Sequence, residues 1–201
     1  MFNTLASRVT LGVGSVLVLV FAALTWNGLN QARSDTERRA QAQLQGIAST
    51  LASAIDGDRH LQSAAAHPAK DAIRDWGQAS LSTQLMRERL VQAKTAAQVE
   101  SPIYTLAIRS DVEAAVKANP DIEHPDALEF LLTTSQTPYW RSRYRWRPEM
   151  LPVFRDGVSV ATAPYSDEHG QWISGYAPVK TSDGKVIALL SVDMTIDALL
   201  A

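Results

Sequence analysis

The 201-residue sequence contains no cysteine. That excludes disulfides, thiolate zinc sites and a cysteine nucleophile, and leaves the compartment open. It has no charge surplus either: the formal net charge is −2 and the lysines and arginines are scattered, so no basic stripe points to nucleic acid. The usual catalytic signatures are missing, with no Gly-x-Ser-x-Gly elbow, no His-Glu-x-x-His and no glycine-rich phosphate loop. Ser182-x-x-Lys185 has the spacing used by penicillin-interacting enzymes, but that serine chemistry needs a helix start and Ser182 lies in a turn signal between two strands. The reading is of a non-enzyme with no implied cofactor. Asp56, Asp58 and His60 offer metal-ligand atoms at a helix break, where such residues more often cap a helix or line a solvated loop, so no metal is expected.

Charge is also absent between Arg8 and Arg33, and Val9 to Trp26 is an apolar run broken only by glycine and hydroxyl residues. That length is enough to cross a bilayer, which takes about 20 residues. A cleaved signal peptide has a shorter apolar region and a small-x-small site, for which Ala22 and Ala23 are poor candidates, so an uncleaved anchor is expected. Arg33, Arg38 and Arg39 beyond the run outnumber Arg8 before it, which by charge alone argues against an exported domain.

What remains is 46% apolar and 20% charged overall, enough for one cored domain beyond the appendage. From Asn27 to Ile55 the pattern is helical, with Leu44, Ile47, Leu51 and Ala54 at three- and four-residue steps. The stripe suits packing against its own domain or a short parallel coiled coil between two copies. Asp56-Gly57-Asp58 supplies a stop and a new N-cap. A second helix is expected from about Pro68 to Val99, with Ile73, Trp76, Leu81, Leu85, Leu90 and Val91 as its apolar set and a bend near Gly77. Ile103 to Ile108 and Leu128 to Ser135 read as strands. Pro148 to Gly157 reads as a short helix with a glycine C-cap, and Val158 to Pro164 as a short strand. Gly170 to Met194 is a hairpin closed by Ser182-Asp183-Gly184, and its second run, apolar on both faces, should be central.

The Pro138 to Pro148 stretch carries four arginines and four aromatic residues. An arginine fork beside aromatic walls suits a small anion or an amino acid, while the plainer reading is a surface connection whose arginines snorkel or stack on the rings. In an extended segment Tyr139, Arg141, Arg143 and Arg145 would share one face, and Trp140, Tyr144 and Trp146 the other. Arg141 and Arg143 are the favoured ligand contacts. Arg147, nearer the helix start, should matter less.

An apolar first helix, a long second helix, Ile103-Tyr104-Thr105-Leu106, the Tyr/Arg-rich connection and a closing hairpin with Tyr176-Ala177-Pro178-Val179, Gly184-Lys185-Val186 and Ser191-Val192-Asp193 look like the Cache-type, PAS-like extracytoplasmic sensor domains of bacterial transmembrane receptors. "IDGDRH", Ile55 to His60, is similar to the stretch that follows the stalk in such proteins. The resemblance implies an α+β fold: an N-terminal transmembrane helix and long stalk, then a central antiparallel sheet of about five strands flanked by helices. It implies a tip and anchor at 1–29, a stalk at 30–57, a sensor domain at 58–197 and the start of a connecting helix at 198–201. It further implies a pocket on one sheet face, with Tyr104, Arg141, Arg143, Tyr144, Trp146, Tyr165, Trp172, Tyr176 and Asp193 as ligand contacts. Asp193 also reads as a cap for the helix starting at Thr195 or Ile196. The expected function is ligand sensing by a bacterial membrane signalling receptor. A small anionic or amino-acid-like ligand would be bound beyond the inner membrane, in the periplasm or outside the cell, by a homodimer that relays the event through its C-terminal helix to an effector. With no second span or signalling module before Ala201, the chain reads as a piece of such a receptor or as a singly anchored protein. The alternative is a structural or dimerising ectodomain without a small-molecule ligand.

Overall fold

The computed structural model describes residues 5–200, with side chains from 19 to 198. It divides into two compact units, one ending at Arg39 and the other starting at Ala40. Among the described residues no helix is long and apolar enough to cross a membrane. The expected span Val9 to Trp26 lies in large part outside the residues with described side chains.

Helix α1 runs from Leu5 to Ser53. From Ala40 onward it is part of the domain, not a stalk before it: Ala40, Leu44, Ala48 and Leu51 are buried at helical spacing. They share a core with Ile173, Ala177, Val179, Ala188, Leu190 and Val192 of the sheet. The stripe is therefore domain core, because an apolar sheet face left uncovered would expose several large side chains to water. The helix backbone comes so close that a Cβ at Gly175 would collide with the Leu44 carbonyl.

Helix α2, Gly57–Ala66, is capped by Asp56, whose carboxylate accepts from the Arg59 amide at 3.1 Å. The helix expected over 68–99 is only α3, Leu81–Ala96, started by the Ser80 cap and preceded by a single 3-10 turn at Trp76–Gln78. Ile73 and Trp76 do pack inward, against Leu131 and Trp140, but from an irregular segment. Their spacing was right for burial and misleading for conformation.

The fold is α+β, with an antiparallel sheet. Its strands are β1 (Tyr104–Ile108), β2 (His124–Thr133), β3 (Arg143–Trp146), β4 (Val160–Ala161), β5 (Tyr165–Asp167), β6 (Gly170–Lys180) and β7 (Val186–Thr195). The order is β3-β2-β1-β7-β6-β4, with β5 pairing to the same edge of β6 as β4. Seven strands replace the expected five because β3 and β5, short and charged at the sheet margins, lack the apolar alternation that marks a strand in sequence. The hairpin β6–β7 pairs from Trp172 with Thr195 to Lys180 with Val186, and β7 lies inside the sheet as expected.

Alternation decides what each sheet face does. Ile173, Ala177 and Val179 point to α1, while Tyr176 and Leu189 point to the opposite face. That face is partly covered by α4 (Glu113–Ala118) and α5 (Leu151–Asp156), whose Val116 and Val153 pack on Leu106, Leu128 and Leu189. Gly157 closes α5 in the left-handed region at φ 63°, the C-cap role expected of it. A short helix α6, Ile196–Leu200, follows β7 directly.

Candidate functional site

The part of that second face not covered by helices forms a cavity of about 690 Å³. Tyr104 of β1, Phe130 of β2, Tyr144 of β3, Tyr165 of β5 and Trp172 of β6 wall it, and Asp193 of β7 stands among them. The rings touch in series: Tyr104 to Phe130 at 5.0 Å between centroids, Phe130 to Tyr144 at 5.5 Å, Tyr104 to Tyr144 at 6.1 Å. A charged rim surrounds this wall. Arg143 faces Asp126 at 3.5 Å, and Arg145 reaches Glu123 at 3.9 Å and Glu168 at 3.8 Å. Such long, half-exposed pairs contribute little and exchange easily for a ligand group.

Asp193 is the group the site is built around. Its Oδ1 accepts from the hydroxyls of Ser174 at 2.6 Å and Ser191 at 2.8 Å, and its Oδ2 from Tyr104 at 2.6 Å. Burial pushes its carboxyl above the usual carboxylate range, overcoming the three hydroxyl donors, and the charge of Asp167 adds to the rise. The same burial, with Asp193 close by, raises the Tyr104 phenol, so that hydroxyl stays a neutral donor. A second hydroxyl feeds the network, since Tyr165 bonds Ser174 at 2.7 Å. Beneath them the Tyr176 hydroxyl is buried with no hydrogen-bond partner among the described residues.

Of the residues expected from sequence, Tyr104, Arg143, Tyr144, Tyr165, Trp172 and Asp193 line the cavity. Arg141, Trp146 and Tyr176 do not. Arg141 turns away to bond the carbonyls of Ala64 at 2.7 Å and His67 at 2.9 Å and to pair with Glu129. It ties the end of α2 to the sheet. Trp146 is core, its indole N–H donating to the Pro120 carbonyl at 2.9 Å. Tyr176 is buried in the same cluster. Arg147, ranked below Arg141, is the arginine nearer the network: its guanidinium lies 3.9 Å over the Tyr165 ring and 3.7 Å from Asp167. Asp193 does not cap α6, because Thr195 does, its hydroxyl accepting from the Ala198 amide at 3.2 Å.

The expected alternation of Tyr139, Arg141, Arg143 and Arg145 fails for a backbone reason. Tyr139 and Arg141 sit at φ 52° and 53°, and extended strand begins only at Arg143. Phe130, absent from the sequence reading, was reachable from it, because it follows Leu128 by two along a recognised strand. Asp56, Asp58 and His60 go to three different places: the α2 cap, the Ser182 amide at 3.0 Å and the Thr105 hydroxyl at 2.9 Å.

Fold and site together define a mixed helix and antiparallel-sheet domain with an aromatic, carboxylate-floored cavity on one sheet face. No protein-family model matches the chain, and no curated protein matches it. Among solved structures it is similar to one described as an RNA-binding light-oxygen-voltage receptor, at 14% identity over 92% of this chain and 68% of that one, with a TM-score of 0.24.

Proposed function

We propose that the chain is the ligand-sensing part of a bacterial membrane signalling receptor, held by its N-terminal apolar helix with the domain outside the cytoplasm. Its ligand is a small amino-acid-like molecule whose ammonium group sits on Asp193. The observation that carries this reading is the carboxylate itself. It faces a cavity, is raised by burial, and among the described residues has only hydroxyl hydrogen-bond partners. A cationic group there would supply the charge partner that burial otherwise makes costly to omit. Arg143 and Arg145 at the rim suit the ligand's carboxylate. Asp193 lies on β7 three residues before α6, so a ligand that pulls on it acts on the start of that helix and on whatever effector follows. In a receptor of two copies, contacts along α1 use its exposed positions such as Gly46 and Thr50, because the sheet already occupies Leu44 and Leu51.

The test is a thermal-shift panel of L-amino acids, simple amines and simple carboxylates on the full chain. At about a hundred times its Kd a ligand adds about 2.7 kcal/mol, which is several degrees. Asp193→Asn should abolish the shift and Arg141→Ala should leave it. A panel without any hit, or a shift that survives Asp193→Asn, would favour the structural or dimerising ectodomain instead.

A further inference from the structure

Tyr139 is a large aromatic residue with a left-handed backbone, φ 52°, and it is 49% exposed while lining the cavity. Neither property is what a bulky residue in a connecting segment adopts unprompted, since the left-handed region costs a non-glycine residue about 1–2 kcal/mol. The neighbours show what imposes it. Trp140 is buried, with its indole N–H on the His67 carbonyl at 2.9 Å, and Arg141 is fastened to the end of α2 and to Glu129. The turn is closed by the Ser142 amide donating to the Tyr139 carbonyl at 2.8 Å. With the next two side chains pinned to the far side of the segment, the Tyr139 ring is set on the cavity side. There its centroid stands 6.2 Å from Phe130, which is itself 5.0 Å from Tyr104, the donor to Asp193.

The wall therefore runs from the carboxylate through Tyr104 and Phe130 to Tyr139. Besides its charged rim the cavity has uncharged lining in Ser101, Pro102, Thr133 and Ser142. Strain held in place by surrounding structure is a pointer to function when it presents a side chain to a site. We infer that Tyr139 is a specificity-determining residue, a preset stacking wall that selects ligands carrying a flat, apolar body, most simply an aromatic ring, at the end remote from the ammonium group. This rests on the reading of the cavity as an amino-acid-like ligand site. An aromatic body gains offset or edge contact with Tyr139 and Phe130 that an aliphatic stub of the same ligand class cannot.

The experiment is titration calorimetry of the full chain with L-phenylalanine and L-alanine, which share the ammonium and carboxylate and differ by the ring. Wild type should bind L-phenylalanine about tenfold or more tightly than L-alanine, Tyr139→Phe should keep that preference, and Tyr139→Ala should reduce it to about twofold while leaving L-alanine unchanged. Without ligand, Tyr139→Gly should melt about 3 °C above Tyr139→Ala, because both lose the ring and only glycine is relieved at this φ. Binding of neither amino acid by wild type overturns the ligand-site reading and this inference with it. Equal binding of the two, or a preference that persists in Tyr139→Ala, overturns this inference alone. A Tyr139→Gly variant no more stable than Tyr139→Ala removes the strain on which it stands.

Discussion

Tyr104 on β1 donates its hydroxyl to Oδ2 of Asp193 on β7 at 2.6 Å, reaching past Ser191, its partner across the two strands. The contact ties Asp193 to the aromatic wall, because the hydroxyl that steadies the carboxylate belongs to one of the rings of that wall. A buried carboxylate held by neutral donors is stabilised only in part, and its raised pKa expresses the remainder.

That remainder has a sign. The folded-state pKa of Asp193 is above its unfolded value, so the stability linked to this group is fully present below the unfolded pKa and is lost as pH rises through the folded one. Asp193→Asn should therefore raise the melting temperature of the ligand-free chain at neutral pH while abolishing ligand stabilisation. Urea melts of both forms at neutral pH and at pH 4 check this, with the gain shrinking at the lower pH. A variant less stable than wild type at neutral pH would contradict it.

His60 acts in the opposite direction. It is buried on the other sheet face with Nε2 on the Thr105 hydroxyl at 2.9 Å, and burial lowers its pKa from 6.5 to about 4. A depressed histidine leaves the unfolded state binding more protons between those values. Stability linked to His60 therefore falls as pH drops from about 6.5 to about 4, by about 3 kcal/mol in all. Chemical denaturation across that window should show the loss in wild type and a much shallower slope in His60→Gln. Equal slopes would mean that the ring is not buried neutral.

Arg141→Ala should be a stability variant. It leaves Glu129, whose carboxyl burial already pushes upward, without its guanidinium, and frees the carbonyls of Ala64 and His67. The expected loss is about 3 kcal/mol by denaturant melts, with ligand selectivity retained. Loss of binding at unchanged stability would instead return Arg141 to the cavity.

Gly175→Ala should cost about 1–3 kcal/mol, because the new methyl group meets the Leu44 backbone and α1 must lift from the sheet. Gly184→Ala, with open space around it and φ 86°, should cost only about 1 kcal/mol. Cysteines at Leu44 or Leu51 should fail to crosslink two chains, since both side chains are buried in one.

The sequence made the hairpin legible because Val186 to Met194 is apolar on both faces and Ser182-Asp183-Gly184 is a strong turn, whereas Tyr104, on a strand outside the hairpin, joined Asp193 as a candidate through the resemblance alone. It could not show which arginine faces the cavity. Side-chain direction in Pro138 to Pro148 hangs on two left-handed residues, and neither Tyr139 nor Arg141 is of a type that announces that conformation. The apolar spacing of Ile73 and Trp76 resembled a helix for a related reason: burial from a loop and burial from a helix leave the same mark in composition. β3 and β5 stayed hidden because edge strands take their conformation from the pairing partner, not from their own propensity.

The most direct measurement counts protons. At a pH between the ordinary carboxylate value and the raised value of Asp193, the empty site holds a bound proton part of the time. An ammonium group binding there expels it. Titration calorimetry of an amino acid into the full chain, repeated from pH 4.5 to 7 in buffers of different ionisation enthalpy, should show net proton release in wild type and none in Asp193→Asn. Proton uptake on binding, or the same release in both forms, would contradict the assignment of Asp193 as the ammonium contact.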